Sequence, residues 1–211
     1  MKQHMRIAVI DYGMGNIGSI CNMLKYIGAE HVVSSDPTEI RGCNKIVLPG
    51  VGHFDLAMQN LETRDLIGPL KDFVLGEQKP ILGICLGMQL LCSSSEEGNK
   101  DGLGFLDAQV RKFKFDEDSR LKIPHMGWSD VMFVNSNPLS QNLGNDARFY
   151  FVHSYYVDCK IKEDVWGTSV YGHSFVSAFA RGNIFGAQFH PEKSHKYGIQ
   201  LFRNFASERT E

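Results

Sequence analysis

Short, almost wholly apolar runs alternate with helical spacing through the first half of the chain. Arg6 to Ile10 reads as a strand. From Asn16 to Ile27 the apolar positions Ile17, Ile20, Cys21, Leu24 and Ile27 recur at three- and four-residue intervals, the period of one helical face. A short strand at Val32-Val33 comes next, then one from Lys45 to Leu48, closed by Pro49-Gly50. Leu56 to Leu61 and Leu66 to Leu75 carry helical spacing, and Ile81 to Ile84 returns to strand. Strands that lack a polar face and are separated by helices predict a parallel sheet covered on both sides.

The second half changes character. Gln109 to Phe115, Arg148 to Val152, Tyr155 to Asp158, Thr168 to Val170, Phe175 to Ala180 and Ile184 to Phe189 are strand-like. Turn signals at Asn137-Pro138, Tyr171-Gly172-His173 and Arg181-Gly182-Asn183 separate them. This predicts an antiparallel or mixed extension of the sheet. Ser194 to Ser207 reads as a closing amphipathic helix with Ile199, Phe202 and Phe205 inward and Ser194 as its N-cap. No linker or repeat interrupts the pattern, so residues 1–211 are expected to form a single α/β domain of three layers, with a mainly parallel sheet between helices.

Composition narrows the function classes. The 211 residues are 43% apolar and 22% charged, with a net charge of -2, which offers nothing to nucleic acid or an anionic membrane. The basic run Arg111-Lys112-Phe113-Lys114-Phe115 is short and followed by acids, as on a solvated strand face. The N-terminus lacks a signal-peptide pattern and no apolar stretch is long enough to span a bilayer, so a soluble cytoplasmic protein is the default. The five cysteines match neither a disulfide framework nor a zinc knuckle. Cys21 and Cys92 are expected to be buried small hydrophobes within helices. Neither a metal nor a cofactor is expected.

Gly13-Met14-Gly15-Asn16-Ile17-Gly18 satisfies G-x-G-x-x-G between a strand and a helix, with Asp36 downstream. The pattern alone would suit a dinucleotide. Yet Asp11 and Tyr12 intervene before the first glycine, and a carboxylate there would repel a pyrophosphate. A polar loop that supports a site or meets a partner fits better; a dinucleotide-binding module stays as the alternative of another class.

Stronger chemistry lies at Gly83-Ile84-Cys85-Leu86-Gly87-Met88-Gln89. A cysteine between two glycines, after an apolar strand and at the start of a helix, has the form of an exposed nucleophile on a tight bend. Downstream, His190 and Glu192 follow another apolar run, with Pro191 stiffening the turn between them. Together Cys85, His190 and Glu192 supply a nucleophile, a base and an orienter of that base. Acyl transfer also needs oxyanion donors. The backbone N–H of Leu86 is one, and Pro49-Gly50-Val51-Gly52, at the end of another strand, is the candidate source of the second.

These segments resemble the triad-type (class I) glutamine amidotransferases, and among them the glutaminase subunits of imidazole glycerol phosphate synthases. Asp11-Tyr12-Gly13-Met14-Gly15-Asn16, Leu48-Pro49-Gly50-Val51-Gly52, Pro124-His125-Met126-Gly127-Trp128, Phe151-Val152-His153-Ser154-Tyr155 and His190-Pro191-Glu192-Lys193-Ser194 carry the resemblance across nearly the whole chain. It implies that Cys85 attacks the side-chain amide of glutamine, that His190 shuttles the proton, and that Glu192 orients the ring. Val51 and Leu86 would supply the oxyanion N–H groups, with Gly50 and Gly52 beside the substrate. Gln89 and Glu97, with Glu96 as the near alternative, would hold the substrate's amino-acid end, and backbone groups of Ser154 and Tyr155 its carboxylate. It further implies a heterodimer with a (β/α)8-barrel cyclase, which Asn16, Trp128 and Lys193 would face. That cyclase would use the ammonia to form imidazole glycerol phosphate and an aminoimidazole carboxamide ribotide in histidine biosynthesis. One departure stands out: Ser129-Asp130 follows Trp128 where the family usually has Asn. It leaves room for a paralogous glutaminase that feeds another synthase, such as one amidating surface-polysaccharide sugars.

Overall fold

The structure, a computed structural model, describes residues 5–116 and 118–207. The first half runs β1 (Arg6–Ile10), α1 (Ile17–Tyr26), β2 (Glu30–Ser34), α2 (Pro37–Arg41), β3 (Lys45–Leu48), α3 (Phe54–Thr63), α4 (Ile67–Lys71), β4 (Ile81–Ile84), α5 (Leu86–Leu90) and β5 (Ser94–Ser95). The second half adds β6 (Ala108–Lys112), β7 (His125–Asp130), β8 (Met132–Phe133), β9 (Arg148–His153), β10 (Tyr155–Cys159), β11 (Val165–Tyr171), β12 (His173–Arg181), β13 (Ile184–Ala187) and α6 (His195–Ser207).

The main sheet has the strand order β2-β1-β3-β4-β13-β12-β10-β6-β5, with β11 on β12 and β8 on β11. From β2 to β13 neighbouring strands are parallel; β12, β10 and β6 then alternate in direction. Apart from the edge strand β2, the parallel strands are buried on both faces because their alternate residues enter two different cores. In β1, Ala8 and Ile10 pack with α3, α4 and α5, whereas Ile7 and Val9 pack with α1 and α6. This is the three-layer mainly parallel sheet with an antiparallel extension that the apolar pattern predicts. No helix among the described residues is long and apolar enough to cross a membrane.

Several local expectations need correction. The strand expected to run to Phe115 ends at Lys112, opposite the first residue of its partner β10, Tyr155; the Phe113 N–H bonds the Ser154 carbonyl and its ring joins an aromatic cluster with Tyr156 and Phe175. The helix expected over 66–75 loses its α-helical period after Lys71 and widens to a π-turn at Asp72–Gly76, where the Glu77 N–H bonds the Asp72 carbonyl. Strand β13 stops at Ala187, so Gln188 and Phe189 lie beyond it. Cys21 is only half-buried, and Cys92 is buried beyond the end of α5. Ser194 stands at the start of α6, but its hydroxyl donates to the His190 carbonyl and accepts from the Tyr150 N–H instead of capping the helix. Ile199 is half-buried, while Phe202 and Phe205 are fully inward.

Strand β7 went unpredicted. It pairs with β9 in a separate two-stranded sheet. Its alternation is inverted, with Met126 and Trp128 outward and His125, Gly127 and Ser129 on the other face. A strand whose inward residues are polar or lack a side chain gives no apolar signal.

Candidate active site

Parallel strands bring their carboxyl ends to one edge of the sheet, the usual place for a site in an open α/β fold. Here β1 delivers the 11–16 loop, β3 delivers Pro49 to Gly52, β4 delivers Cys85, and β13 leads to Gln188, His190 and Glu192. Cys85 has φ 54° and ψ -111°, a strained backbone that non-glycine residues rarely adopt outside a functional bend. The bend is held by the Cys85 N–H, 2.7 Å from the Ala187 carbonyl. Its tightness depends on close approaches: a Cβ on Gly87 would overlap the Leu48 carbonyl, and one on Gly50 would lie 2.5 Å from the Gly87 nitrogen.

A cleft of about 300 Å³ opens over the thiol. It is lined by Val51, Gly52, Cys85, Leu86, Gln89, Glu97, Ser154, Tyr155 and His190 of the predicted set, joined by Pro124, Val152 and His153. Gly50 is not in that lining: it is buried against Leu86 and Gly87, so its place is structural contact behind the cleft.

The His190 ring is almost fully buried, and its Nδ1–H donates to Glu192 Oε1 over 2.8 Å. Its Nε2 is left without a hydrogen bond. Burial would lower the pKa of this ring, but the Cys85 thiol and the Glu192 carboxylate outweigh it and push it up to about 10. Glu192 stands behind the imidazole and away from the cleft lining. The Asn16 amide reaches the same Oε1 at 3.3 Å, so a residue expected to face a partner also holds the orienting carboxylate.

The rest of the cleft is fixed by polar groups that sequence reading partly missed. Gln89 donates to the Tyr155 carbonyl at 3.2 Å and to Gln188 Oε1 at 3.0 Å, and Gln188 Nε2 lies 3.7 Å from the Cys85 sulfur. Gln188 is a fully buried amide just past an apolar strand, a signal that could have singled it out. Tyr12 is also fully buried; its hydroxyl donates to the Pro49 carbonyl over 2.7 Å, and burial together with the Cys85 charge keeps the phenol protonated.

Glu96 and Glu97 part company. Glu96 bonds the Lys112 N–H and pairs with Arg111, whereas Glu97 lines the cleft and accepts the first N–H of α3 from Phe54. Asp55 anchors the Glu97 loop by accepting the N–H groups of Asn99 and Lys100, which lowers its own pKa. Trp128 is no core aromatic: it is 39% exposed and stacks on His195. Lys193 is exposed beside the Tyr150 ring.

The glycine motif serves other ends than a dinucleotide. Asp36 caps α2 through the Thr38 N–H, and Gly15 packs against the Pro49 ring. Among the described residues no group of three or more metal-binding side chains assembles.

The class-I glutamine amidotransferase family model matches residues 8–208. This chain belongs to that family. A Methanococcus maripaludis protein named imidazole glycerol phosphate synthase subunit HisH 2 is 53% identical, over 94% of this chain and 98% of that protein. The corresponding HisH subunit of Bacillus cereus is 52% identical, over 94% of this chain and 93% of its own length. Among solved structures, PurLQS from Thermotoga maritima aligns with a TM-score of 0.70 at 18% identity, covering 96% of this chain and 97% of that one, a likeness of fold.

Proposed function

We propose that this class I amidotransferase is the glutaminase subunit of an imidazole glycerol phosphate synthase, supplying ammonia to a cyclase subunit in histidine biosynthesis. The observation that carries this reading is the cleft over Cys85, in a chain about half identical to HisH subunits over nearly its full length. His190 Nε2 holds the proton given up by Cys85, and the Cys85 sulfur adds to the glutamine amide carbon. The oxyanion is met by backbone N–H groups of Leu86 and Val51. Collapse of the adduct breaks the C–N bond, His190 returns the proton to the leaving nitrogen, and ammonia departs. Water, deprotonated by the same ring, then cleaves the thioester to glutamate. Glu97 receives the substrate ammonium, and the Ser154–Tyr155 backbone its carboxylate.

Asn16, Trp128 and Lys193 belong on the face toward the cyclase, a (β/α)8 barrel, and the pair works in the cytoplasm. The departure at Ser129-Asp130 finds its use within the chain. Ser129 turns inward to His125, and Asp130 pairs with Arg148 across the strand at 2.9 Å. It therefore gives no support to a different ammonia acceptor. Complementation of a histidine auxotroph lacking its glutaminase subunit tests the assignment. Growth is expected, and failure despite soluble expression would refute it. Cys85→Ala, assayed with the cyclase present, should release no glutamate.

A further inference from the structure

From His153 in the cleft lining, a row of polar groups that the reaction steps leave unused runs away from the cleft. Ser129 Oγ lies 2.9 Å from His125 Nε2, His125 Nδ1 lies 3.0 Å from His153 Nε2, and His153 Nδ1 lies 2.7 Å from the Tyr155 carbonyl oxygen. Both rings are buried. One fixed end sets the direction of all three bonds. A carbonyl only accepts, so His153 carries its proton on Nδ1. Burial pulls His153 down to about 3 and His125 down to about 4, which leaves both rings neutral at pH 7. His153 Nε2 therefore accepts, His125 donates from Nδ1, and the remaining His125 Nε2 accepts from the Ser129 hydroxyl.

The row terminates where the main chain passes from one sheet to the other. At Ser154 the backbone leaves the two-stranded sheet of β7 and β9 and enters the main sheet through β10, where the Ser154 carbonyl accepts the Phe113 N–H at 3.1 Å. The His153 side chain folds back onto the Tyr155 carbonyl and closes this crossing. The same carbonyl receives Gln89, whose amide continues through Gln188 to the Cys85 sulfur. Ser154 and Tyr155 line the cleft at this point.

We infer that His153, His125 and Ser129 are positioning residues that fix the Tyr155 carbonyl, and through it the adjoining Ser154–Tyr155 backbone, for the α-carboxylate of glutamine. The inference rests on the glutaminase reading above. It implies that the substrate's binding, and not the bond-breaking at Cys85, depends on the row.

The test is glutamate release by the chain with its cyclase subunit present, for His125→Phe, His125→Asn and Ser129→Ala. His125→Phe keeps an aromatic ring and leaves His153 Nε2 unpaired. It should raise KM for glutamine about 5–10-fold with kcat within about twofold, the size of one lost hydrogen bond. Asn restores a donor near the Nδ1 position and should recover most of that loss; Ser129→Ala should raise KM about 2–3-fold. In a Cys85→Ala background, calorimetric Kd values for glutamine should move in parallel, while in the intact protein iodoacetamide should alkylate Cys85 at the wild-type rate. Unchanged KM in His125→Phe, or a loss confined to kcat, would overturn the inference. Should His125→Phe fail to fold, unchanged KM in the half-buried Ser129→Ala does so. A wild-type complex that releases no glutamate is a different result: it refutes the glutaminase reading itself, and this inference with it.

Discussion

Removing one hydroxyl, in Tyr12→Phe, should separate the stability of the site from its chemistry. The Tyr12 side chain is fully buried, so phenylalanine fills the same space and leaves no cavity. What disappears is the 2.7 Å bond to the Pro49 carbonyl, which is itself buried at the start of the loop carrying Val51. An unpaired buried carbonyl costs about 1–3 kcal/mol. For a chain of this size that lowers the melting temperature by roughly 2–12 °C. The chemical effect comes through the loop. Losing an oxyanion donor outright costs about 100–1000-fold in kcat. Tyr12 holds only the first residue of the loop, so a smaller loss is expected: about tenfold in kcat, with KM for glutamine and the iodoacetamide reactivity of Cys85 unchanged. Differential scanning calorimetry and steady-state glutaminase kinetics with the cyclase present measure both. If Tyr12→Phe keeps its melting temperature within a degree or so and its full kcat, the clamp contributes nothing and the reasoning is wrong.

Three more outcomes follow from the same geometry. Glu192→Gln leaves the His190 Nδ1 proton facing an amide in place of a carboxylate and should lower kcat by about two to four orders of magnitude with little change in KM; a loss below about tenfold in glutamate release would mean the ring is oriented by something else. Stability should fall as pH drops: His125 and His153 have folded pKa values below the unfolded 6.5, so the unfolded chain takes up protons first. Their contribution is intact above pH 6.5 and is lost toward pH 4, amounting to about 2–4 kcal/mol by pH 5. Urea midpoints at pH 7.5 and 5.0 should show a gap that narrows in His125→Phe, and an equal gap in both proteins would contradict the assignment. Gly87→Ala pushes a methyl into the Leu48 carbonyl and should cost about 1–3 kcal/mol or more, read as a lower urea midpoint; a shift worth under about 0.5 kcal/mol would show that the turn relaxes freely.

The parallel half of the sheet was legible because its strands are buried on both faces and leave unbroken apolar runs, as in Ile46 to Leu48 and Ile81 to Ile84. The bend at Cys85 was legible because a strained turn needs small neighbours. Strand β7 was not, since its inward side holds His125 and Ser129 and its outward side Met126 and Trp128. The sequence could propose Glu97 over Glu96 only by likeness; that Glu97 and not Glu96 lines the cleft traces to β6, whose Lys112 N–H and Arg111 side chain claim Glu96. Tyr12 and Gln188 escaped notice because hydrogen bonds between distant residues, here Tyr12 with Pro49 and Gln188 with Gln89, leave no periodic trace along the chain.

The contact between Gly50 and Gly87 has a consequence for how such a site can change over time. The loop after β3 and the turn after Cys85 meet at these two glycines, where the Gly50 backbone lies against Gly87 and Leu86. A side chain added at either glycine collides with the other segment. Descendants of this chain can vary their outer face, where Met126, Trp128 and Lys193 are exposed, one residue at a time. Reshaping the bend at Cys85 would need paired changes in two distant codons, so diversification is far more accessible on the outer face than at the bend.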